Sequence, residues 1–204
     1  MAIYLIRHGE TAGNAARVVQ KPDIPLSPNG IDQARRLARR LTGEGIGQIL
    51  ASDLTRAAMT AEAVVETTGA PIRYDALLHE RNFGDVRGTP YAELSFDLFA
   101  PDYDPPGGES WERFEARMDE AWLLMQRAAE ECRENLAVIT HGLVCRSVVT
   151  RRARLPKGAE QHPSGLAWRN TSVTILDGPD PWTVRLLNCA AHLDEAEPRD
   201  GGAV

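Results

Sequence analysis

The sequence predicts a single domain of the α/β class, with three layers in the order α/β/α and a mostly parallel central sheet. Two short apolar runs, residues 3–6 and 136–140, each stop at a histidine followed by a glycine. Buried parallel strands deliver side chains to the carboxyl edge of a sheet in this way. Segments with apolar residues at helical spacing lie between the strands, as in a sheet covered by helices. A chain of 204 residues is long enough to bury one substantial core of this kind.

The first part of the chain alternates strands and helices. A short helix is predicted over residues 10–17, followed by a proline-containing loop over 20–26. Ser27 and Pro28 favour the N-cap and first position of a helix whose apolar stripe extends to Leu41. Four arginines fall off this stripe, and we interpret them as a solvated face and not as a nucleic-acid contact; they are Arg35, Arg36, Arg39 and Arg40.

The next unit is a strand over residues 47–51 and a helix that ends near residue 66, with Ser52 or Asp53 as its expected N-cap. A weaker strand is predicted over 71–74. Residues 75–108 are irregular, with one short helix expected over 91–99. Irregular segments of this length inside a domain are usually functional, so we interpret this insertion as the wall and lid of a pocket.

The clearest helix extends from residue 109 to about 132, because large apolar residues recur there every three or four positions and predict a core-facing stripe. These residues are Trp111, Phe114, Met118, Trp122, Met125 and Ala129. A helix over 143–151 and a basic loop over 152–165 follow the second His-Gly pair.

The chain is expected to finish with two strands, over residues 171–176 and 183–187. The domain is predicted to span residues 1–193. Residues 194–204 are rich in acidic residues, proline and glycine, which predicts a disordered tail.

Composition restricts the partners and the compartment. Apolar residues make up 43% and charged residues 25% of the chain, and the net charge is −6. An acidic protein is a poor nonspecific nucleic-acid binder, and no apolar run approaches the ~20 residues of a membrane span. The three cysteines suit neither a disulfide framework nor a zinc site, so we expect a cytoplasmic protein. The sequence does not fix the oligomeric state, and a homodimer is left open.

The polar residues that follow the strands suggest one anion site. Arg7 and His8 end the first strand, Asn14 lies close behind them, and His141 ends the second strand. Arg56 is expected in the first turn of a helix, where free backbone N–H groups also favour anions. Arginine guanidinium groups suit phosphate oxygens, and nearby cations keep an imidazole unprotonated and able to attack.

These motifs, in their order along nearly the whole chain, resemble the histidine phosphatase superfamily, in its phosphoglycerate mutase-like branch. The first half of the chain contributes Arg7-His8-Gly9-Glu10-Thr11 with Asn14, Arg17 and Gln20, Pro25-Leu26-Ser27 with Gly30 and Gln33-Ala34, and Ser52-Asp53-Leu54 with Arg56-Ala57 and Thr60-Ala61. The second half contributes Glu80 with Phe83-Gly84 and Gly88, Gly107-Gly108-Glu109-Ser110, Thr140-His141-Gly142, Asn170-Thr171-Ser172-Val173, and Asn188 with His192-Leu193.

The resemblance implies a phosphohistidine at His8 and a proton donor at Glu80, and it places Gln20 near the substrate. Reasoning from the residues also selects His8, with Arg7, Arg56, Asn14 and a protonated His141 around the phosphate. Asp85 and Glu109 remain alternative acids. No metal or cofactor is required. Gly13 and Lys21 depart from the family pattern, which often has an aromatic residue and a glycine at these two positions, and they alter the pocket rim.

Three functions are weighed. The favoured one is a metal-independent phosphatase acting on a small phosphorylated metabolite. A cofactor-dependent phosphoglycerate mutase is the alternative, and a non-catalytic phospho-ligand-binding module is a third. Residues 89–108 contain four acidic residues and no lysine or arginine, which we expect to repel a second phosphate and to favour the phosphatase. Among the other histidines, His79 is a candidate substrate contact, His162 a loop surface residue and His192 a structural hydrogen-bonding group.

Overall fold

The computed structural model describes residues 1–155 and 167–194. Within these ranges one sheet of six strands is covered by helices on both faces. The strands are β1 (Ala2–Arg7), β2 (Ile46–Ala51), β3 (Ile72–Tyr74), β4 (Asn135–Thr140), β5 (Val173–Asp177) and β6 (Thr183–Cys189). The helices are α1 (Ala12–Ala15), α2 (Pro28–Leu41), α3 (Thr55–Thr68), α4 (Trp111–Glu131) and α5 (Gly142–Arg151).

The strand order is β3-β2-β4-β1-β5-β6. The first four of these strands are parallel, while β5 and β6 are antiparallel to their neighbours. Arg7 at the end of β1 pairs with Thr140 at the end of β4. The two histidines that follow therefore leave adjacent strands at the same edge of the sheet. The predicted α/β class with a mostly parallel sheet is confirmed.

Two apolar cores lie on opposite faces of the sheet, because successive residues of a strand point to opposite faces. In β1, Ile3 and Leu5 pack on the side of α4 and α5, with Phe114 and Met118. Tyr4 and the residues that alternate with these two pack on the side of α2 and α3. This arrangement is the predicted three-layer domain.

Helix boundaries follow local hydrogen bonding. Ser27 accepts a hydrogen bond from Gly30 N at 3.0 Å and starts α2 as expected. The predicted N-cap of α3 is wrong, since Leu54 occupies that position without a side-chain hydrogen bond. The first helix is also shorter than residues 10–17. Thr11 caps it, and Arg17 leaves the helical region with φ of 53°.

The short helix expected over residues 91–99 does not form. Only one 3₁₀ turn, Tyr91–Glu93, is present. The side chain of Asp97 accepts a hydrogen bond from Phe99 N at 2.9 Å, and such local side-chain bonds compete with a helix. Leu98 is buried with Val19 and Phe83, so the aromatic segment packs by an irregular path.

The four arginines of α2 differ in their contacts. Arg35 and Arg39 are exposed as expected, and Arg36 forms an ion pair with Asp32 at 2.7 Å. Arg40 instead donates a hydrogen bond to Cys189 O at 2.9 Å, which ties the helix to the end of the sheet.

Several predictions fall on residues that are not described. His162, most of the loop over 152–165 and the tail beyond residue 194 lie outside the described residues. In residues 1–155 and 167–194, no helix combines the length and the apolar character that crossing a membrane requires.

Candidate active site

His8 lies at the carboxyl edge of the sheet, and its two ring nitrogens have different partners. Nδ1 is 2.7 Å from Gly9 O, which can only accept, so Nδ1 carries the proton. Nε2 therefore presents its lone pair, and it accepts a hydrogen bond from Nε of Arg56 at 3.2 Å. This arrangement fixes both the tautomer and the orientation of the ring.

The surroundings also keep His8 neutral. Burial, followed by the charges of Arg56 and Arg7, holds the pKa of His8 well below its usual value of 6.5. The hydrogen bond to Gly9 O opposes this shift but does not reverse it. A neutral imidazole with a directed lone pair is the form that acts as a nucleophile.

The turn after His8 allows very close backbone packing. A side chain at Gly30 would place its Cβ 1.9 Å from Glu10 O, and one at Gly9 would place it 2.7 Å from Gly30 O. Gly9 N donates to Oγ1 of Thr60 at 3.0 Å. Glycine at positions 9 and 30 therefore lets α2 seat against the loop that carries the histidine.

Arg7 and Arg56 lie on two sides of His8 and line a cavity of about 300 Å³. Arg7 donates from Nη1 to Trp168 O, and its buried Nε has no hydrogen-bond partner in the described part of the chain. Arg56, in the first turn of α3, donates from Nη1 to Lys21 O at 3.2 Å. Backbone carbonyls thus orient both guanidinium groups.

His141 lies beside His8, with the ring centroids 5.1 Å apart and the planes inclined by 58°. Its Nε2 is 2.8 Å from Oγ of Ser52, and its buried Nδ1 lacks a partner among the described residues. Burial, followed by the charge of Arg56 and the neighbouring imidazole, holds the pKa of His141 well below 6.5. The protonated form of His141 that we expect beside a phosphate dianion therefore depends on the charge of that ligand.

Glu80 lines the same cavity. Its carboxylate accepts hydrogen bonds from Arg81 N at 3.0 Å and from Leu143 N at 3.2 Å. Burial raises the pKa of Glu80, although the two N–H groups and the charges of Arg56 and Arg7 partly oppose the shift. A carboxyl group with a raised pKa at a cavity wall is suited to proton donation.

A hydrogen-bonded frame behind Glu80 holds its backbone in place. Arg117 of α4 donates to Leu77 O at 2.7 Å and to His79 O at 2.9 Å. The same guanidinium forms two bonds to the carboxylate of Glu109, at 2.9 and 2.8 Å. Glu109 in turn accepts from Asn82 N at 3.2 Å. The residues on both sides of Glu80 are therefore fixed to one helix.

The two alternative acids are placed elsewhere, since neither Glu109 nor Asp85 lines the cavity. Burial alone would raise the pKa of Glu109, but the hydrogen bonds and the charge of Arg117 hold it below the usual value. Asp85 is exposed and lies beside Gly107.

The two predicted substrate-binding residues also line the cavity. Asn14 Oδ1 accepts from Asn170 Nδ2 at 3.3 Å, and Gln20 Oε1 accepts from the Thr11 hydroxyl at 2.8 Å. A Cβ at Gly13 would lie 3.0 Å from Cγ of Gln20. Gly13 stands where the family often has an aromatic residue, and its lack of a side chain provides the space that Gln20 occupies.

The other described histidines lie away from the cavity around His8. His79 contacts Asp53 and lines a neighbouring groove. His192 is placed between Arg40 Nη1 at 3.0 Å and the Thr171 hydroxyl at 3.1 Å, the structural hydrogen bonding expected of it.

Sequence reasoning missed the outer half of the cavity. Its described lining includes three further arginines, Arg81, Arg87 and Arg146, and several apolar or aromatic residues, among them Val19, Phe83, Tyr91, Phe99, Leu143 and Trp168. The acidic residues of segment 89–108, which we expected to repel a second phosphate, do not line it. That expectation is wrong, because those side chains lie outside the cavity.

Comparisons with known proteins agree with this geometry. The family model described as the histidine phosphatase superfamily (branch 1) matches residues 3–190. The chain belongs to the histidine phosphatase superfamily. Phosphoglycerate mutase-like protein 4 of Arabidopsis thaliana is 34% identical over 209 residues, which cover 95% of this chain and 87% of that protein.

Solved structures of other histidine phosphatases share the fold. Bacillus stearothermophilus YhfR is 29% identical with a TM-score of 0.79, covering 94% of this chain and 98% of the other. A mycobacterial glucosyl-3-phosphoglycerate phosphatase, solved as a complex with VO3, is 27% identical with a TM-score of 0.75. That match covers 91% of this chain and 96% of the phosphatase. This member of the superfamily thus resembles both phosphatases and mutase-like proteins.

Proposed function

We propose that this histidine phosphatase hydrolyses a small phosphomonoester through a phosphohistidine on Nε2 of His8. The observation that carries the proposal is the pair of contacts on the ring. Gly9 O accepts a hydrogen bond from Nδ1–H, and Arg56 Nε–H donates a hydrogen bond to the Nε2 lone pair. Nε2 of a neutral imidazole is thereby presented to the cavity with a cation at the same point.

In the first step, His8 Nε2 attacks the phosphorus atom and the bond from phosphorus to the ester oxygen breaks. Glu80 gives its proton to the departing oxygen, which leaves as an alcohol. Arg56 Nε, which donates to Nε2 of His8 in the structure, then donates to a phosphoryl oxygen. The raised pKa of Glu80 supports this role, because the carboxyl group must carry a proton before the step begins.

In the second step, a water oxygen attacks the phosphorus atom and the bond from nitrogen to phosphorus breaks. The Glu80 carboxylate takes a proton from that water and returns to its acid form, while His8 regains its lone pair. Inorganic phosphate is the product. One carboxyl group thus serves both half-reactions in opposite directions.

The cations for the phosphoryl oxygens come from the chain. Arg7 has an unpartnered buried Nε, and Arg56 carries free donor capacity at the cavity wall. Each charge-assisted hydrogen bond contributes about 1.5–3 kcal/mol. Asn14 adds neutral donors, and His141 becomes a further donor when the bound dianion favours its protonation. We propose that this set works without a metal ion.

A phosphoglycerate mutase is the second candidate. The same phosphohistidine would pass its phosphoryl group to a hydroxyl of a bound metabolite in place of water. The mutase-like relative and the two outer arginines, Arg87 and Arg146, support this alternative.

The test follows phosphate from ³²P-labelled esters during single turnovers stopped with alkali. The proposal expects a transient alkali-stable, acid-labile label on a peptide that contains His8, followed by inorganic phosphate. His8→Ala should lose both signals while its far-UV circular dichroism is unchanged. Label that moves to a second hydroxyl faster than phosphate is released assigns the mutase. Absence of both label and phosphate release across a broad panel of esters would leave the binding module as the remaining function.

A further inference from the structure

The cavity around His8 is larger than its phosphate-binding part. Beyond Arg7, His8 and Arg56 it continues between the irregular segment, the start of α5 and the residues before β5. Most side chains there are apolar or aromatic, including Phe83, Tyr91, Phe99, Leu143 and Trp168. Flat or apolar groups gain contact area on such a wall.

Beyond Arg7 and Arg56, three arginines line the cavity: Arg81, Arg87 and Arg146. The Arg81 guanidinium donates hydrogen bonds to Glu109 O at 2.9 Å and to Tyr103 O at 2.6 Å. Arg87 lies without such partners in the described part of the chain. Its side chain is partly buried, and it makes no ion pair or hydrogen bond with any described residue. Burial lowers the pKa of Arg87, although a guanidinium stays charged at neutral pH. A desolvated charge without a partner is unfavourable.

Arg146 is the second arginine of this kind. It lies on α5, lines the same cavity and also lines the adjoining groove with Phe99 and Leu143. Its guanidinium, like that of Arg87, has no partner within residues 1–155 and 167–194.

Two arginines outside this cavity, both with little exposed side chain, have carboxylate partners. Arg117 is held by Glu109, and Arg152 is held by Glu115 at 3.0 Å and by Asp119 at 2.6 Å. The contrast indicates that a missing partner at Arg87 and Arg146 is a feature of this cavity.

Charge balance leads to a ligand. Among the described residues that line the cavity, Glu80 is the only carboxylate. A bound phosphate dianion would be matched by Arg7 and Arg56. Arg81 interacts with the carboxylates of Asp104 and Glu109, outside the cavity, which leaves the charges of Arg87 and Arg146 uncompensated.

We propose that Arg87 and Arg146 bind a second anionic group, a carboxylate or a second phosphate, of a phosphomonoester with an apolar or aromatic body. The inference rests on the proposed function, because it takes the phosphate of the same ligand to lie at His8. It adds the substrate class, which the phosphate contacts alone do not define.

The experiment compares matched aryl esters. Phenyl phosphate carrying a 3-carboxylate, a 3-carboxamide or a second 3-phosphate is turned over by the wild type, Arg87→Gln, Arg146→Gln and the exposed control Arg35→Gln. The carboxylate and carboxamide are nearly equal in size and differ in charge. Their ratio of kcat/KM therefore reports recognition of the second anion, and the bisphosphate shows which anion is preferred.

The expected result is a kcat/KM about 10-fold or more higher for at least one acidic ester than for the carboxamide. Arg87→Gln and Arg146→Gln should each reduce that ratio severalfold, and a general loss of activity cancels because the ratio is taken within each variant. Arg35→Gln should leave the ratio unchanged. A wild-type ratio near one for both acidic esters, or a ratio that survives both cavity substitutions, overturns the inference and leaves the proposed function standing.

If no ester is hydrolysed, the proposed function fails and binding decides the inference separately. Calorimetry on the wild type and on Arg87→Gln would then compare the same esters. Tighter binding of an acidic ester that disappears in Arg87→Gln supports recognition of the second anion. Equal binding of the acidic esters and the carboxamide overturns it.

Discussion

The guanidinium of Arg56 donates its Nε–H to Nε2 of His8 at 3.2 Å, so a cation is directed at the lone pair proposed as the nucleophile. The same charge is one of the causes that lower the pKa of the ring. Arg56 therefore has two separable effects on His8. It orients the ring, and it disfavours ring protonation.

The variant Arg56→Gln tests both effects, because a change in the pKa of His8 can be measured only in a folded protein. Removing one charge-assisted donor should lower kcat/KM by roughly one to two orders of magnitude. The pKa of His8 should rise toward 6.5, because a cation that opposes protonation has gone, while burial still keeps it below that value. Nuclear magnetic resonance titration of ¹⁵N-labelled histidine measures the shift. A His8 pKa that stays constant or falls would contradict this account of the ring.

The pH dependence of turnover should report Glu80 and His8. Glu80 must be protonated for the first step and its pKa is raised, so kcat/KM falls as pH rises through that raised value. His8 must be neutral and its pKa is lowered, so the acid limb lies well below 6.5. Maximal turnover of alkyl phosphates is therefore expected between the lowered pKa of His8 and the raised pKa of Glu80.

Glu80→Gln should remove the part of the decrease in kcat/KM at high pH that comes from ionisation of the enzyme. The loss of kcat is expected to be about 10²–10⁴-fold for an alkyl phosphate, and smaller for 4-nitrophenyl phosphate, whose leaving group needs little protonation. Because both proteins are assayed with the same substrate, ionisation of the substrate phosphate affects both pH profiles equally. An alkaline limb that persists unchanged in Glu80→Gln would assign the acid to another group.

The pair formed by Arg117 and Glu109 should position Glu80 without touching substrate. Arg117→Met leaves a half-buried carboxylate and two backbone carbonyls without their donor, so the free energy of unfolding should fall by about 1–3 kcal/mol. The alkaline limb of the pH profile should shift, because the backbone around Glu80 is no longer fixed. Urea denaturation and the pH profile measure the two effects, with Glu109→Gln and the double variant completing a cycle. An unshifted profile in a folded variant would limit the pair to stability.

Gly30→Ala tests the close packing under His8. The added Cβ would lie 1.9 Å from Glu10 O, a backbone atom, so the loop must move and stability should fall by about 1–3 kcal/mol or more. Gly43→Ala is the matched control. That glycine has φ of 82° with nothing within 4 Å, so only backbone strain of roughly 1–2 kcal/mol is expected. An unchanged free energy of unfolding in Gly30→Ala would mean that the loop adapts without cost.

The elements that sequence predicted well have a local physical signature. The strands at residues 3–6 and 136–140 are short apolar runs, and the stripe of α4 repeats at helical spacing, so burial determined both. Gathering of Arg7, His8, Arg56 and His141 at one edge follows from parallel strands and was predictable in the same way. Glu80 required the family resemblance, because no periodic pattern places it.

Other features depend on tertiary contacts that a sequence pattern does not contain. Ser52 was expected to cap a helix, yet its hydroxyl faces His141 from the neighbouring strand end. Segment 91–99 has helical spacing over too few residues to outweigh the packing of Leu98. Arg87 and Arg146 are 59 positions apart, and only their shared cavity identifies them as a pair. An arginine adjoining a family motif, as Arg87 adjoins Gly88, was the one available signal.

The position of β1 in the sheet affects when the polypeptide can fold during its synthesis. Both neighbours of this central strand, β4 and β5, are encoded in the last third of the chain. More than 130 residues must therefore be synthesised after the first apolar segment before its hydrogen-bonding edges can be covered. Long-range pairing of this kind slows folding and prolongs the exposure of an apolar strand whose unpaired edges can associate with other chains. Nascent chains that stop before β4 are consequently expected to depend on chaperones, whatever the state of the catalytic groups.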